Sequence, residues 1–418
     1  MKTLRKKIIF TLTALLIFRL VAHVTIPGVD VERVRLLMEN SAAGGALGVF
    51  SLLTGGAMER FSIVLMGLTP YINASIIMQL LGVVVPRLEE IKKEGEAGQK
   101  KITQWTRLLT VPLAFMQSYG MMILLNTLAG AQIVDTSDPA TILPMMAIVT
   151  AGTVFLMWLG ELINEKGLGN GISILIFAGI VATVPTQLFS SFRSAPLPVS
   201  LALLAATIAL TLFVVYVSEA NRNIPVLYAN RASGAQAKSF LPLKVAQAGM
   251  IPIIFAVSLV SMPSIFAQFF VQAESTTMQG IGEWILANFN SSDPRFWYNL
   301  VYAFLIYGFT FFYVDIVFEP KKIAENLQKR GGFVPGYRPG KETEEFIGGT
   351  ANRLCFWGAL FLTFVAVVPL IFERFISGGV TSVTLFISGA GIIIVVSVVL
   401  DIIRRLNSYL VMQDYNKI

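Results

Sequence analysis

The chain has 418 residues, of which 55% are hydrophobic and only 14% charged, with a formal net charge of +7 and a mean hydropathy of +0.70. That excludes an ordinary soluble domain, which is about 45–50% apolar and about 25% charged, and marks a polytopic membrane protein. One cysteine, Cys355, and one histidine, His23, exclude a disulfide framework and argue against a Cys/His metal site.

The start, MKTLRKKIIFTLTALLIFRLVA, imitates a secretory signal, with a basic segment leading into an apolar one. Arg19 interrupts it and no small-x-small cleavage site follows before Ile26-Pro27-Gly28, so the expectation is a retained first span. Between Gly44 and Pro86 lies an apolar stretch twice the length of one membrane crossing, which takes about 20 helical residues. Gly55-Gly56 and Glu59-Arg60 split it into a short piece, Leu47 to Thr54, and an expected full span, Phe61 to Val85. The short piece cannot cross. Lipid offers no partner for broken backbone, so it must sit inside protein or line a cavity, which points toward a channel.

Apolar windows near residues 8–26, 61–85, 108–129, 142–163, 172–191, 197–218, 245–271, 296–318, 353–373 and 383–403 predict ten spans. An even number returns the C-terminus to the side of the N-terminus. Loops on that shared side carry 25 of the 32 basic residues. The positive-inside rule therefore places both termini in the cytosol. Two halves of five spans, 1–195 and 196–418, would be inverted relative to each other, with a path between them near the midplane.

The sequence carries no P-loop, no H-E-x-x-H and no G-x-S-x-G elbow. Gly167-Leu168-Gly169-Asn170-Gly171 lies between two spans and reads as a tight turn with Asn170 capping the fifth. Any work must then come from outside the chain, and no cofactor is expected. The acids near spans, Glu161, Glu219, Asp315, Glu319 and Asp401, sit at span ends, which weakens ion-coupled transport. Arg19 and His23 lie deeper. Arg19 either pairs with carbonyls of a neighbouring helix or holds the first span against the broken segment; His23 reads as a packing residue. Two long basic loops, 219–244 and 319–353, share one face, and FVPGYRPG in the second has the Pro/Gly density of a structured turn tip. Their exposed arginines suit RNA phosphate or acidic protein surfaces, which reads as a docking platform.

The strings GGAMERFSIVLMGLTPYINASIIMQLL, KKEGEAGQKKITQWTR, FLMWLGELINEKGLGNGISILIFAGIV, LPLKVAQAGMIPIIFA and NLQKRGGFVPGYRPGKETEEFI, in that order, closely resemble the bacterial SecY family. The resemblance covers essentially the whole chain. It implies an all-α bundle of ten transmembrane helices in two inverted halves around a central pore, with a plug helix at about 45–54. It puts the pore ring on Leu68, Ile72, Ile176, Ile254 and Ile394, branched side chains suited to a dewetted, deformable constriction. It implies a lateral gate between spans 2 and 3 and spans 7 and 8, with Gln117 at a polar gate position. Where family members commonly have Asn, this chain has Ala246 followed by Gln247, so the polar contact across the gate uses Gln247 or is absent. Arg338 in GYRPG matches the position needed for SecA-driven export, and Arg231 a ribosome-contacting position. Glu219 and Asn223 stand where relatives are often basic, which weakens that loop's grip.

The implied function is the pore subunit of the bacterial Sec translocase in the inner membrane, passing unfolded polypeptides across and releasing hydrophobic helices, including signal sequences, sideways into lipid. It catalyses no reaction; SecA or the ribosome supplies work, and small SecE and SecG subunits accompany it. The alternative is a secondary transporter with inverted repeats, which calls for intramembrane charge. An intramembrane hydrolase would need a catalytic dyad, and none is visible.

Overall fold

The computed structural model describes residues 2–29, 34, 54–129, 133–135, 138–194, 196–228, 239–271, 275–289, 296–376 and 388–415. In chain order its elements are α1 (Lys2–Val21), α2 (Thr69–Val84), α3 (Pro86–Lys93), α4 (Glu96–Ala129), α5 (Pro139–Lys166), α6 (Gly171–Ser194) and α7 (Leu197–Glu219). There follow β1 (Asn221–Tyr228), β2 (Ser239–Lys244), α8 (Ile251–Val271), α9 (Thr276–Asn288), α10 (Phe296–Val317), α11 (Pro320–Lys329), β3 (Gly332–Phe333), α12 (Lys341–Ile376) and α13 (Gly389–Tyr415). Each of the ten apolar windows holds a helix. Among the described residues, six helices are long and apolar enough to cross a membrane alone, and a seventh follows if the bent pair α2–α3 is one span. Of the other three, α1 and α13 carry charged turns, Arg5-Lys6-Lys7 and Asp401 to Arg405, while α8 is apolar over a shorter run, Ile251–Ser264.

The second span departs from expectation. Its helix begins at Thr69, not Phe61, and spans 16 residues before a 104° bend into α3. Pro70 explains the start: proline lacks an N–H and its ring opposes a preceding helical turn, so it belongs in the first turn. Residues 55–68 are instead a series of turns, with positive φ at Gly55, Gly56, Gly67 and, exceptionally, Phe61 at 46°. This irregular backbone is buried in protein, as lipid demands. Ile26 N–H donates to the Phe61 carbonyl and Ile63 N–H to the Val24 carbonyl, both at 3.0 Å. The Ser62 hydroxyl donates to the Val21 carbonyl at 3.1 Å. Close approach to neighbours needs glycine: a Cβ on Gly152 of α5 would collide with the Ile63 carbonyl, and one on Gly55 would lie 2.8 Å from Gly179 Cα in α6. The expected plug, 45–54, lies outside the described residues except for Thr54, which is buried.

Helix packing divides the bundle. α1 packs on α5 and α6, α2 on α4, α4 on α5, and α5 on α6. In the second group α8 packs on α10, α10 on α12, and α13 on both α12 and α7. The groups meet where α8 packs against α2 and α4, where α13 packs against α6, and, more lightly, where α7 follows α6.

The loop 219–244, read from sequence only as a basic loop, contains a β-ribbon. β1 and β2 pair antiparallel from Asn221↔Lys244 to Val226↔Ser239, and β3 adds to the other edge of β1, giving the order β2-β1-β3. Ile224 and Val226 are buried while their alternate neighbours Asn223 and Pro225 are exposed, the period-2 pattern of a half-buried strand.

Candidate functional site

Leu68, Ile72, Ile176, Ile254 and Ile394 all lie in one buried apolar cluster, each no more than 7% exposed. They reach it from the starts of four helices on both sides of the seams. Leu68 is the N-cap of α2, and its carbonyl accepts from Ile72 N–H at 3.0 Å, which sets the two side chains one turn apart on one face. Ile176 follows the expected cap: Asn170 Oδ1 accepts from Ile172 N–H at 3.2 Å and Ser173 N–H at 3.4 Å, and Gly169 has φ 79°. Ile254 N–H bonds the Met250 carbonyl at 3.2 Å in the first turn of α8. Ile394 lies early in α13, whose start is held by Ser388: its hydroxyl accepts from Gly391 N–H at 3.1 Å and its carbonyl from Ile392 N–H at 2.9 Å. The cluster also holds Phe255, Val260 and Tyr302, so burial alone does not single out these five.

Each of the three helices that meet at one seam, α8, α2 and α4, carries a buried polar side chain. Gln117 on α4 is 3% exposed, and neither atom of its amide has a hydrogen-bond partner. The same holds for Asn73 on α2 and for the Ser258 hydroxyl on α8. A buried unpaired polar group costs about 1–3 kcal/mol. Asn73 went unread in the sequence, although a lone amide in PYINASII is its signal.

Both atoms of the Gln247 amide are likewise buried without a hydrogen-bond partner. Its turn between β2 and α8 presses on α12, where a Cβ on Gly358 would collide with the Val245 carbonyl. No hydrogen bond joins it to Gln117. It lines a cavity of about 330 Å³ with Asn170, Lys244, Asp401, Arg404 and Arg405. There Arg404 donates to Glu219 at 2.5 Å and Arg405 to Asp401 at 2.9 Å. Burial and the nearby Arg404 hold the Lys244 ammonium below the usual lysine range, against the pull of Glu219 and Asp401.

The Arg19 guanidinium donates to the Gly55 carbonyl at 2.6 Å, so it holds the first helix against the broken segment. Its own carbonyl lies 2.7 Å from His23 Nδ1, a local packing contact. Arg19→Met is expected to lower stability by about 1.5–3 kcal/mol, the range for a hydrogen bond from a charged donor. Thermal unfolding in detergent checks it; an unchanged Tm would remove this contact from the fold's support.

On the loop face, Gly336 and Gly340 have φ of 90° and 104° in the turn that carries Arg338. Tyr337 stacks on Phe346 with centroids 4.1 Å apart. Arg338 N–H donates to Glu342 at 3.0 Å and the Thr343 hydroxyl to the Arg338 carbonyl at 2.8 Å, leaving the exposed guanidinium presented from a fixed backbone. Arg231 lies outside the described residues.

A polytopic helical bundle with buried re-entrant backbone and a convergent apolar cluster defines a membrane protein of channel architecture. The comparisons agree on which. The family model described as SecY matches residues 62–403. Protein translocase subunits SecY of Streptomyces galbus and Vibrio cholerae are 40% and 41% identical; each alignment covers 99% of this chain, and 96% and 94% of the relative. Among solved structures, a SecY channel described for its plug domain superposes with TM-score 0.70 at 19% identity, over 97% of this chain and 92% of that one. Sec61 from a canine ribosome–channel complex superposes with TM-score 0.64 at 18% identity and the same coverage. The chain belongs to the SecY family.

Proposed function

We propose that the chain is the channel-forming subunit of a Sec translocon, which conducts unfolded secretory polypeptides across the membrane and releases membrane-protein helices laterally into lipid. The observation that carries this reading is the family match across 99% of the chain, joined to the burial of Leu68, Ile72, Ile176, Ile254 and Ile394 in one cluster. In this reading the five form the constriction, a plug at about 45–54 seals it, and halves 1–195 and 196–418 part at the α8 seam. Gln117, with Asn73, supplies the unpaired polar character that lets the gate open. Gln247, whose amide is buried and unpaired like that of Gln117, is the second polar candidate of the gate.

The chain works without catalysis of its own. SecA or the ribosome supplies the energy, SecE and SecG are its small partners, and Arg338 and Arg231 serve docking. It resides in the inner membrane with both termini cytosolic, the orientation that fits its basic loops. A secondary transporter is not favoured, because the ionisable groups described above lie at helix ends or bind carbonyls. Photo-crosslinkers at Leu68 and Ile72 are expected to capture a stalled secretory chain; absence of an adduct at both positions would overturn the assignment.

A further inference from the structure

α9 is too short to cross a bilayer at 13 residues, and two contacts fix how it lies. The Ser264 hydroxyl of α8 donates to the Phe289 carbonyl just past α9 at 2.7 Å. A Cβ on Gly282 would lie 2.9 Å from Val271 N and 3.0 Å from the Ala267 carbonyl. Seven residues forward on α8, from Ser264 to Val271, are matched by seven backward on α9, from Phe289 to Gly282. α9 therefore runs antiparallel along the last two turns of α8, about 10 Å at helical rise.

Ile254, in the first turn of α8, lies in the central apolar cluster. On the proposed reading, which places Ile254 in the constriction at mid-depth, about 15 Å of hydrocarbon remains beyond it, and Ser264, about 15 Å further along, reaches the boundary. Phe289 is then at the edge of the hydrocarbon and Trp284 at headgroup level. The sequence of α9 is graded to match. Its first turn, entered from Ser275, holds Thr276, Thr277, Met278 and Gln279, one apolar residue in four, whereas its distal half holds Ile281, Trp284, Ile285 and Leu286. Ile281 and Trp284 are more than half exposed, and the exposed Glu283 lies about 100° round the helix from Trp284. Phe266 and Phe270 on α8 extend the exposed apolar surface.

We infer that α9 is an interfacial anchor: its Ile281–Phe289 end is seated in the lipid headgroup layer at the C-terminal end of α8, with Phe289 at the acyl boundary and Trp284 among the headgroups, and its Ser275–Thr277 end stands in water. An apolar body with a polar tip suits Trp to that layer. The anchor would fix the depth of α8 and α10, which α9 joins.

The test uses the full chain, purified with whatever subunits accompany it and reconstituted in phosphatidylcholine vesicles. Spin labels are placed at Thr277→Cys, Ile281→Cys or Trp284→Cys in a Cys355→Ala background. The ratio of oxygen to nickel-chelate accessibility is expected to rise severalfold from Thr277 to Trp284. Equal, water-like accessibility at all three positions overturns the inference. So does exclusion of both reagents at Ile281 and Trp284, which would mean that protein covers this face. Depth is read without transport, so it fails independently of the conduction reading.

Discussion

Replacing Ile72 and Ile254 together with glycine is expected to raise resting ion conductance in planar bilayers roughly tenfold or more. The two side chains enter the same buried cluster from α2 and α8, on opposite sides of a seam. An apolar constriction blocks ions by excluding the water that would carry them. Removing a buried isoleucine forfeits about 2–5 kcal/mol of apolar packing. If only about 1.4 kcal/mol of that appears as a lower barrier to wetting, the rate rises tenfold. Single Ile72→Val and Ile254→Val exchanges keep a branched side chain and are expected to leave conductance near its resting value. Conductance unchanged in the double glycine variant, with the protein still folded, would remove both residues from the constriction. A comparable rise from Ile123→Gly, a buried residue of α4 outside that cluster, would show that any core cavity leaks.

The spans were readable because lipid imposes a coarse rule: about twenty apolar residues make a helix, whatever their order. The same rule concealed the start of α2. Residues 61–68 are as apolar as a span, yet Pro70, positive φ at Gly67 and the bonds between Ile26 and Phe61 keep them irregular. Composition registers apolarity but not where the backbone bonds go. The β-ribbon was missed for a related reason: charge and Pro225 make 219–244 look like a solvated loop, while the alternation at Ile224 and Val226 is only two residues deep. Gln247 shows a third limit. Sequence neighbours place it beside a gate position but do not show that its turn closes on Gly358 or that it lines a cavity with Arg404 and Arg405. The five proposed constriction residues were legible only through resemblance, since physically each is one apolar side chain among many in the same cluster.

Arg338→Glu is expected to abolish ATP-driven export in reconstituted vesicles while leaving the fold intact. The turn around Arg338 is held by its backbone amide on Glu342, its carbonyl on Thr343 and the Tyr337–Phe346 stack. None of these uses the guanidinium, so exchanging the side chain removes no internal support. What changes is the charge offered from a rigid tip. Losing one partner of a desolvated, hydrogen-bonded charge pair across an interface costs about 2–5 kcal/mol, which weakens binding of the motor by roughly 30- to 4,000-fold. Protease protection of an exported substrate measures the loss, and a matching Tm confirms folding. Arg338→Lys separates geometry from charge: a point charge without the planar fork is expected to retain part of the export. Full export by Arg338→Glu would sink the docking role and move motor recognition to the β-ribbon.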